Sequence, residues 1–136
     1  MFWNIQLENF PGEAPRSESD TKTIAIGAER IEVLIADTPE ERVLGLSGRK
    51  MLEGREGMLF VFPEEGYYAF WMKDMRFSID ILWLSSDGEV VYITERASPE
   101  SYPARFVSER PARYVLELPA GYVSARGVML GDIVRL

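Results

Sequence analysis

The 136-residue chain contains neither cysteine nor histidine. Their absence excludes disulfides, thiol nucleophiles, histidine-based triads, haem on a His or Cys ligand and the usual Cys/His zinc sites. Any chemistry falls to carboxylates, Lys, Arg, Tyr, Ser or a hard metal, and no Asp-x-Asp-x-Asp-Gly calcium loop is present. No metal and no cofactor is expected. Long hydrophobic runs are missing too: the longest, Ile79 to Leu84, is interrupted by Asp80 and falls well short of the roughly 18 continuous apolar residues a membrane helix needs. Basic residues are the scarcer charge, 15 Lys and Arg against 22 Asp and Glu, and the net charge of −7 repels a phosphate backbone. Nucleic acid is therefore not an expected partner. What is there is a globular composition, 46% hydrophobic and 12% aromatic, in a chain long enough for one core without staples.

The start, Met1-Phe2-Trp3-Asn4-Ile5, lacks the basic flank, apolar run and small-residue cleavage site of a signal peptide. Residues 8–20 hold Pro11, Gly12, Pro15 and four acids against Arg16 alone, the composition of a solvated arm. The expected organisation is a partly flexible N-terminal arm over residues 1–20, in which Phe2, Trp3, Ile5 and Leu7 offer an extra edge strand, and a single β-rich domain over 21–136.

From Lys22 on, short β-rich runs alternate with turns. Thr23 to Ile26 and Ile31 to Ala36 make a hairpin candidate. Thr38-Pro39-Glu40-Glu41 is a capping box with proline at the first helical position. It predicts a helix from Pro39 to about Ser47 with Val43, Leu44 and Leu46 on its apolar face, and with Gly45 inside it at about 1 kcal/mol relative to alanine. Met58 to Phe62 is apolar at every position, as in a strand covered on both faces. Pro63 to Gly66 reads as a turn, Tyr67 to Met72 as the returning strand, and Ser78 to Leu84 with Glu89 to Glu95 as a second hairpin. Residues 96–113 carry three prolines and four arginines, which predicts a surface excursion. Tyr114 to Leu118, a short helical or irregular turn after Gly121, and Ile133 to Leu136 complete the domain. The sum is a mostly β protein, an antiparallel sandwich or open barrel of seven or eight short strands with one short helix.

Three blocks carry a family resemblance: Glu41-Arg42-x-x-Gly45-Leu46-x-x-Arg49; Gly57-Met58-Leu59-Phe60-x-Phe62; and Phe70-Trp71-Met72-Lys73 with Ile79-Asp80-Ile81 after it. With Tyr114-x-Leu116-Glu117-Leu118-x-Ala120-Gly121 and Gly131-Asp132-x-Val134, the chain resembles the domain of unknown function family numbered 192 over residues 22–136. Ser47, Asp74, Met75 and Ser78 depart from the residues usual there. The resemblance implies a compact β-rich single domain of bacteria and archaea, often behind an export signal. It implies a cell-envelope or secreted location where a leader has been removed, and the cytoplasm otherwise. It supplies no catalytic residue.

Asp80 is the sharpest local anomaly. On a strand it shares a face with Leu82 and Leu84, while Ile79, Ile81 and Trp83 share the other. A carboxylate so placed costs several kcal/mol unless it is paired or protonated, so Asp80 needs a partner. Lys73 is the nearest candidate, with Arg76 and Arg42 behind it; the alternatives are an ion pair, a cap on backbone amides, or a carboxylate at the mouth of a ligand pocket. Phe70, Trp71 and Met72 offer either core packing or an adaptable aromatic surface. The candidate ligand-binding set is Trp71, Lys73, Asp80, Arg42 and Phe70, and the partner is a small molecule or a protein. The alternative function is a carboxylate-dependent hydrolase of a glycan-like substrate, which requires acids such as Asp80, Glu95 and Glu117 to converge. The arginines between Arg96 and Arg113 exceed the local acids by two and suit either an anion or a solvated loop.

Overall fold

A computed structural model describes residues 21–136; the arm over 1–20 and its extra edge strand lie outside the described residues. Nine strands and two short helices follow in the order β1 (Thr21–Ile26), β2 (Glu29–Ala36), α1 (Pro39–Leu44), β3 (Glu56–Gly66), β4 (Ala69–Trp71), β5 (Ile79–Leu84), β6 (Val90–Ala97), β7 (Arg105–Val107), β8 (Ala112–Pro119), α2 (Tyr122–Arg126) and β9 (Val134–Arg135). Seven strands form one sheet in the order β6-β5-β8-β3-β2-β1-β9, and β4 pairs with β7 in a separate ribbon. The mostly β class expected from the sequence is what the chain adopts. One pairing departs from the antiparallel expectation: β2 and β3 run parallel, Val33 opposite Gly57 and Ile35 opposite Leu59. Parallel neighbours need a crossover, and the segment containing α1 supplies it.

The capping box forms as the residues predict. Thr38 Oγ1 accepts from the Glu41 amide at 3.1 Å, and Glu41 Oε1 accepts from the Thr38 amide at 3.2 Å. The helix is shorter than the sequence suggests, because Gly45 is its C-cap rather than an interior residue. Its φ of 52° is a left-handed value that glycine adopts without penalty. Pro63 likewise lies within β3 instead of ending it. The ladder with β8 is interrupted between Val61 and Gly66, so proline's missing N–H costs no ladder bond.

The sheet curls until its edges meet. Val90 donates to Asp132 O at 2.8 Å and Val134 to Gly88 O at 2.9 Å, and Ile133 bridges Glu89. Gly88 makes this seam possible: its φ is 83°, and a Cβ there would stand 2.5 Å from Val134 O. The two faces of the sheet hold separate apolar clusters. All seven strands contribute to one of them, which includes Ile24, Val33, Leu59, Leu82, Val90, Leu116 and Val134 and is closed off by Tyr122 and Val123 of α2. The other gathers Met58, Phe60, Phe62, Ile81, Trp83 and Val115 beneath Phe70 of the ribbon.

Candidate functional site

The β4–β7 ribbon is two-sided because paired residues on an antiparallel ladder share a face. Phe70 lies opposite Phe106, and Trp71 opposite Arg105. Phe70 is fully buried, with its ring edge-on to Phe60, Phe62 and Trp83, and Phe106 packs against the same cluster. The other face therefore points outward, and it carries Trp71 and Arg105. The Arg105 guanidinium sits 4.9 Å from the centre of the half-buried indole of Trp71, the Lys73 ammonium 5.9 Å and the Tyr102 ring 5.0 Å. Lys73 joins because it follows Trp71 by two positions. Tyr102 arrives from a short 3-10 turn, Pro99–Ser101, just before β7. The excursion read as irregular surface thus contains a strand, and that strand completes an aromatic and cationic platform.

Of the residues singled out in the sequence, Trp71 and Lys73 meet here and the other three do not. Phe70 is core. Arg42 is buried beneath α1, where its Nη1 donates to Asp37 O at 2.8 Å and Val61 O at 2.9 Å and its guanidinium lies 5.3 Å from the Phe62 ring centre. It braces the start of α1 against β3. Asp80 faces the opposite side of the sheet from Phe70, among the residues closed off by α2.

There the Asp80 carboxylate, with no exposed surface, accepts three backbone N–H groups: Arg96 at 2.9 Å and Gly121 at 3.3 Å on Oδ1, and Val123 at 2.9 Å on Oδ2. Among the described residues no Lys or Arg side chain forms an ion pair with it. Its partners are amides because the chain turns sharply at both contacts: Arg96 has φ 53° and Gly121 φ 90°. Such turns point N–H groups away from the ladder and towards a fixed acceptor. One carboxylate therefore ties the end of β6, the β8–α2 turn and α2 itself to β5.

The acids required for two-carboxylate chemistry do not converge. In the β5–β8 ladder Asp80 opposes Leu118 while Ile81 opposes Glu117, so Asp80 and Glu117 point to opposite faces, and Glu95 is exposed. Glu117 is fully buried, and loss of hydration pushes its pKa up to about 8. Among the described residues there is no group of three or more His, Cys, Asp or Glu side chains able to hold a metal ion, and no helix is long and apolar enough to cross a membrane.

A separate concavity of about 460 Å³ opens where α2, the β1–β2 turn and the β9 segment meet, with Tyr122, Arg126 and Glu29 in its wall. Sequence reasoning passed over it because its parts lie on three distant segments; the only local sign is a tyrosine next to the left-handed Gly121. Burial raises the Tyr122 pKa, with Arg126 opposing and Glu29 reinforcing the rise.

A family model for DUF192, described as "Uncharacterized ACR", matches residues 21–136. The chain belongs to this family. Among solved structures, a proposed transcription regulator from Sinorhizobium meliloti 1021 is 35% identical with a TM-score of 0.82, the match covering 91% of this chain and 97% of that one. A protein of unknown function from Novosphingobium aromaticivorans DSM 12444 is 27% identical with a TM-score of 0.79, covering 85% of each chain. No curated protein matches the chain. DUF192 membership thus gives an uncharacterised family whose fold recurs in these relatives, and no activity comes with it.

Proposed function

We propose that this DUF192 chain is a binding module whose recognition surface is the outer face of the β4–β7 ribbon. The observation that carries the reading is the convergence of Trp71 with Arg105, Lys73 and Tyr102 on the face of the ribbon turned away from the core. A guanidinium held over an indole is a cation suited to recognising carboxylate or phosphate. The aromatic rings beside it supply flat apolar area for a sugar ring or an aromatic group. The ligand class that fits is an anion carrying such a flat face, such as an acidic oligosaccharide or an aromatic carboxylate. Asp80 serves this reading indirectly, as an anchor of the fold.

The regulator name of the Sinorhizobium relative does not carry over easily. The net charge of −7 opposes a phosphate backbone, and the two α-helices among the described residues, of six and five residues, are too short for a recognition helix of usual length. The reading is tested by thermal-shift measurements against a panel of acidic oligosaccharides and aromatic carboxylates. A member that raises the melting temperature of the wild type and leaves the folded Trp71→Ala variant unmoved is the expected result. A panel without effect, or one that shifts both proteins equally, rejects the ribbon as the recognition surface.

A further inference from the structure

The concavity beside α2 lies apart from the ribbon and shares none of its residues. Tyr122, Arg126 and Glu29 bring polar groups to its wall. The Tyr122 hydroxyl is buried, in a residue only 4% exposed, and has no partner among the described residues. Arg126 lies with its guanidinium 4.3 Å from the Tyr122 ring centre and its Nε 3.7 Å from Glu29 Oε1. Glu29 is approached on its other oxygen by Arg55, also at 3.7 Å. Both separations exceed hydrogen-bond length, so the carboxylate is flanked by two cations without accepting a hydrogen bond from either. Buried polar groups are normally satisfied. Of the three only the Tyr122 hydroxyl is buried without a partner; the Arg126 and Glu29 side chains, 34% and 35% exposed, are open to water and to a ligand. A hydroxyl, a guanidinium and a carboxylate on one concave wall match a molecule with both an anionic and a cationic end. Ile26, Val128 and the half-exposed Ile133 complete the wall, which suits an apolar middle.

We infer that this pocket binds a small zwitterion with an apolar side chain, of the α-amino-acid class. Its carboxylate accepts from the Tyr122 hydroxyl and the Arg126 guanidinium, and its ammonium donates to Glu29. The volume lies within the range of small-molecule pockets. Asp80 contributes as a positioning residue, because its bonds to the Gly121 and Val123 amides fix the turn of chain that presents Tyr122.

Isothermal titration with L-leucine tests the inference, with N-acetyl-L-leucine and L-leucinamide as controls that remove one charge each. Leucine binds, and either blocked form binds at least about tenfold more weakly, the loss expected when a hydrogen bond to a charged group is removed. Tyr122→Phe weakens leucine binding about tenfold while its melting temperature stays near that of the wild type, since the hydroxyl has no partner to lose. Glu29→Gln weakens leucine binding but not that of the N-acetyl form. Absence of binding by leucine, isoleucine, methionine and phenylalanine overturns the inference. So does equal affinity for blocked and free leucine, or unchanged affinity in Tyr122→Phe.

Discussion

Replacing Asp80 by alanine removes the acceptor of three amides while leaving the β5 backbone in place. The Val123 amide is buried and the Arg96 and Gly121 amides are partly so. A hydrogen bond to a charged acceptor is worth about 1.5–3 kcal/mol. Val123 is therefore expected near the upper end, and the other two, which water can reach, at about 1 kcal/mol each. Against this stands the relief of no longer burying a carboxylate, which is of the order of a few kcal/mol. The net loss expected is about 3 kcal/mol, within the range for breaking a buried charged interaction, or roughly a 10 °C fall in melting temperature for a domain of this size. Asparagine keeps one acceptor oxygen but turns an NH2 towards the amide or amides on the other side, so its loss is smaller, about 1–2 kcal/mol. Urea unfolding reads this as a lower midpoint at unchanged slope, and hydrogen exchange reads it as faster exchange at the Val123 amide. An alanine variant within about 0.5 kcal/mol of the wild type would refute the reasoning, because a buried carboxylate with three amide partners cannot be neutral to remove.

Two further outcomes follow from the same packing. Glu117, with its folded pKa raised from 4.5 to about 8 by burial, contributes stability that is complete below the unfolded pKa and lost as pH rises through the folded one. Wild-type stability therefore declines by up to about 1.4 kcal/mol per pH unit across this window, and Glu117→Gln, measured by urea unfolding at several pH values, removes that decline. Gly88→Ala drives a methyl against Val134 O at a φ of 83°; it should cost about 1–3 kcal/mol and speed hydrogen exchange at the Val90 and Val134 amides, which close the sheet.

What the sequence reveals here is governed by distance along the chain. The capping box is legible because Thr38 and Glu41 are three residues apart, and both of its bonds form. The isolation of Asp80 within an apolar strand is legible for the same reason, since alternation along Ile79 to Leu84 fixes its face. Its partners are not, because Arg96, Gly121 and Val123 lie 16, 41 and 43 residues away and donate backbone N–H groups, which carry no sequence signal. Lys73 looked closest because it is near in sequence, but it lies on the ribbon side of the sheet. The parallel pairing of β2 with β3 depends on a crossover that no local pattern announces. Trp71 and Lys73 were recognisable as a candidate pair, whereas Arg105 and Tyr102 came to them only through the pairing of β4 with β7. Tyr122 and Arg126 carry no sequence signal, since a pocket formed by three separate segments leaves no periodicity to read.

The central claim, that recognition occurs on the outer face of the ribbon, is tested most directly by a heteronuclear NMR titration of the uniformly labelled protein with the panel member that stabilises it most. The account predicts movement of the Trp71 indole N–H resonance and of the Arg105 and Tyr102 backbone amides, with the indole of Trp83, which donates internally to Tyr68 O at 2.9 Å, holding still. Saturable shifts that leave Trp71 and Arg105 untouched would contradict it.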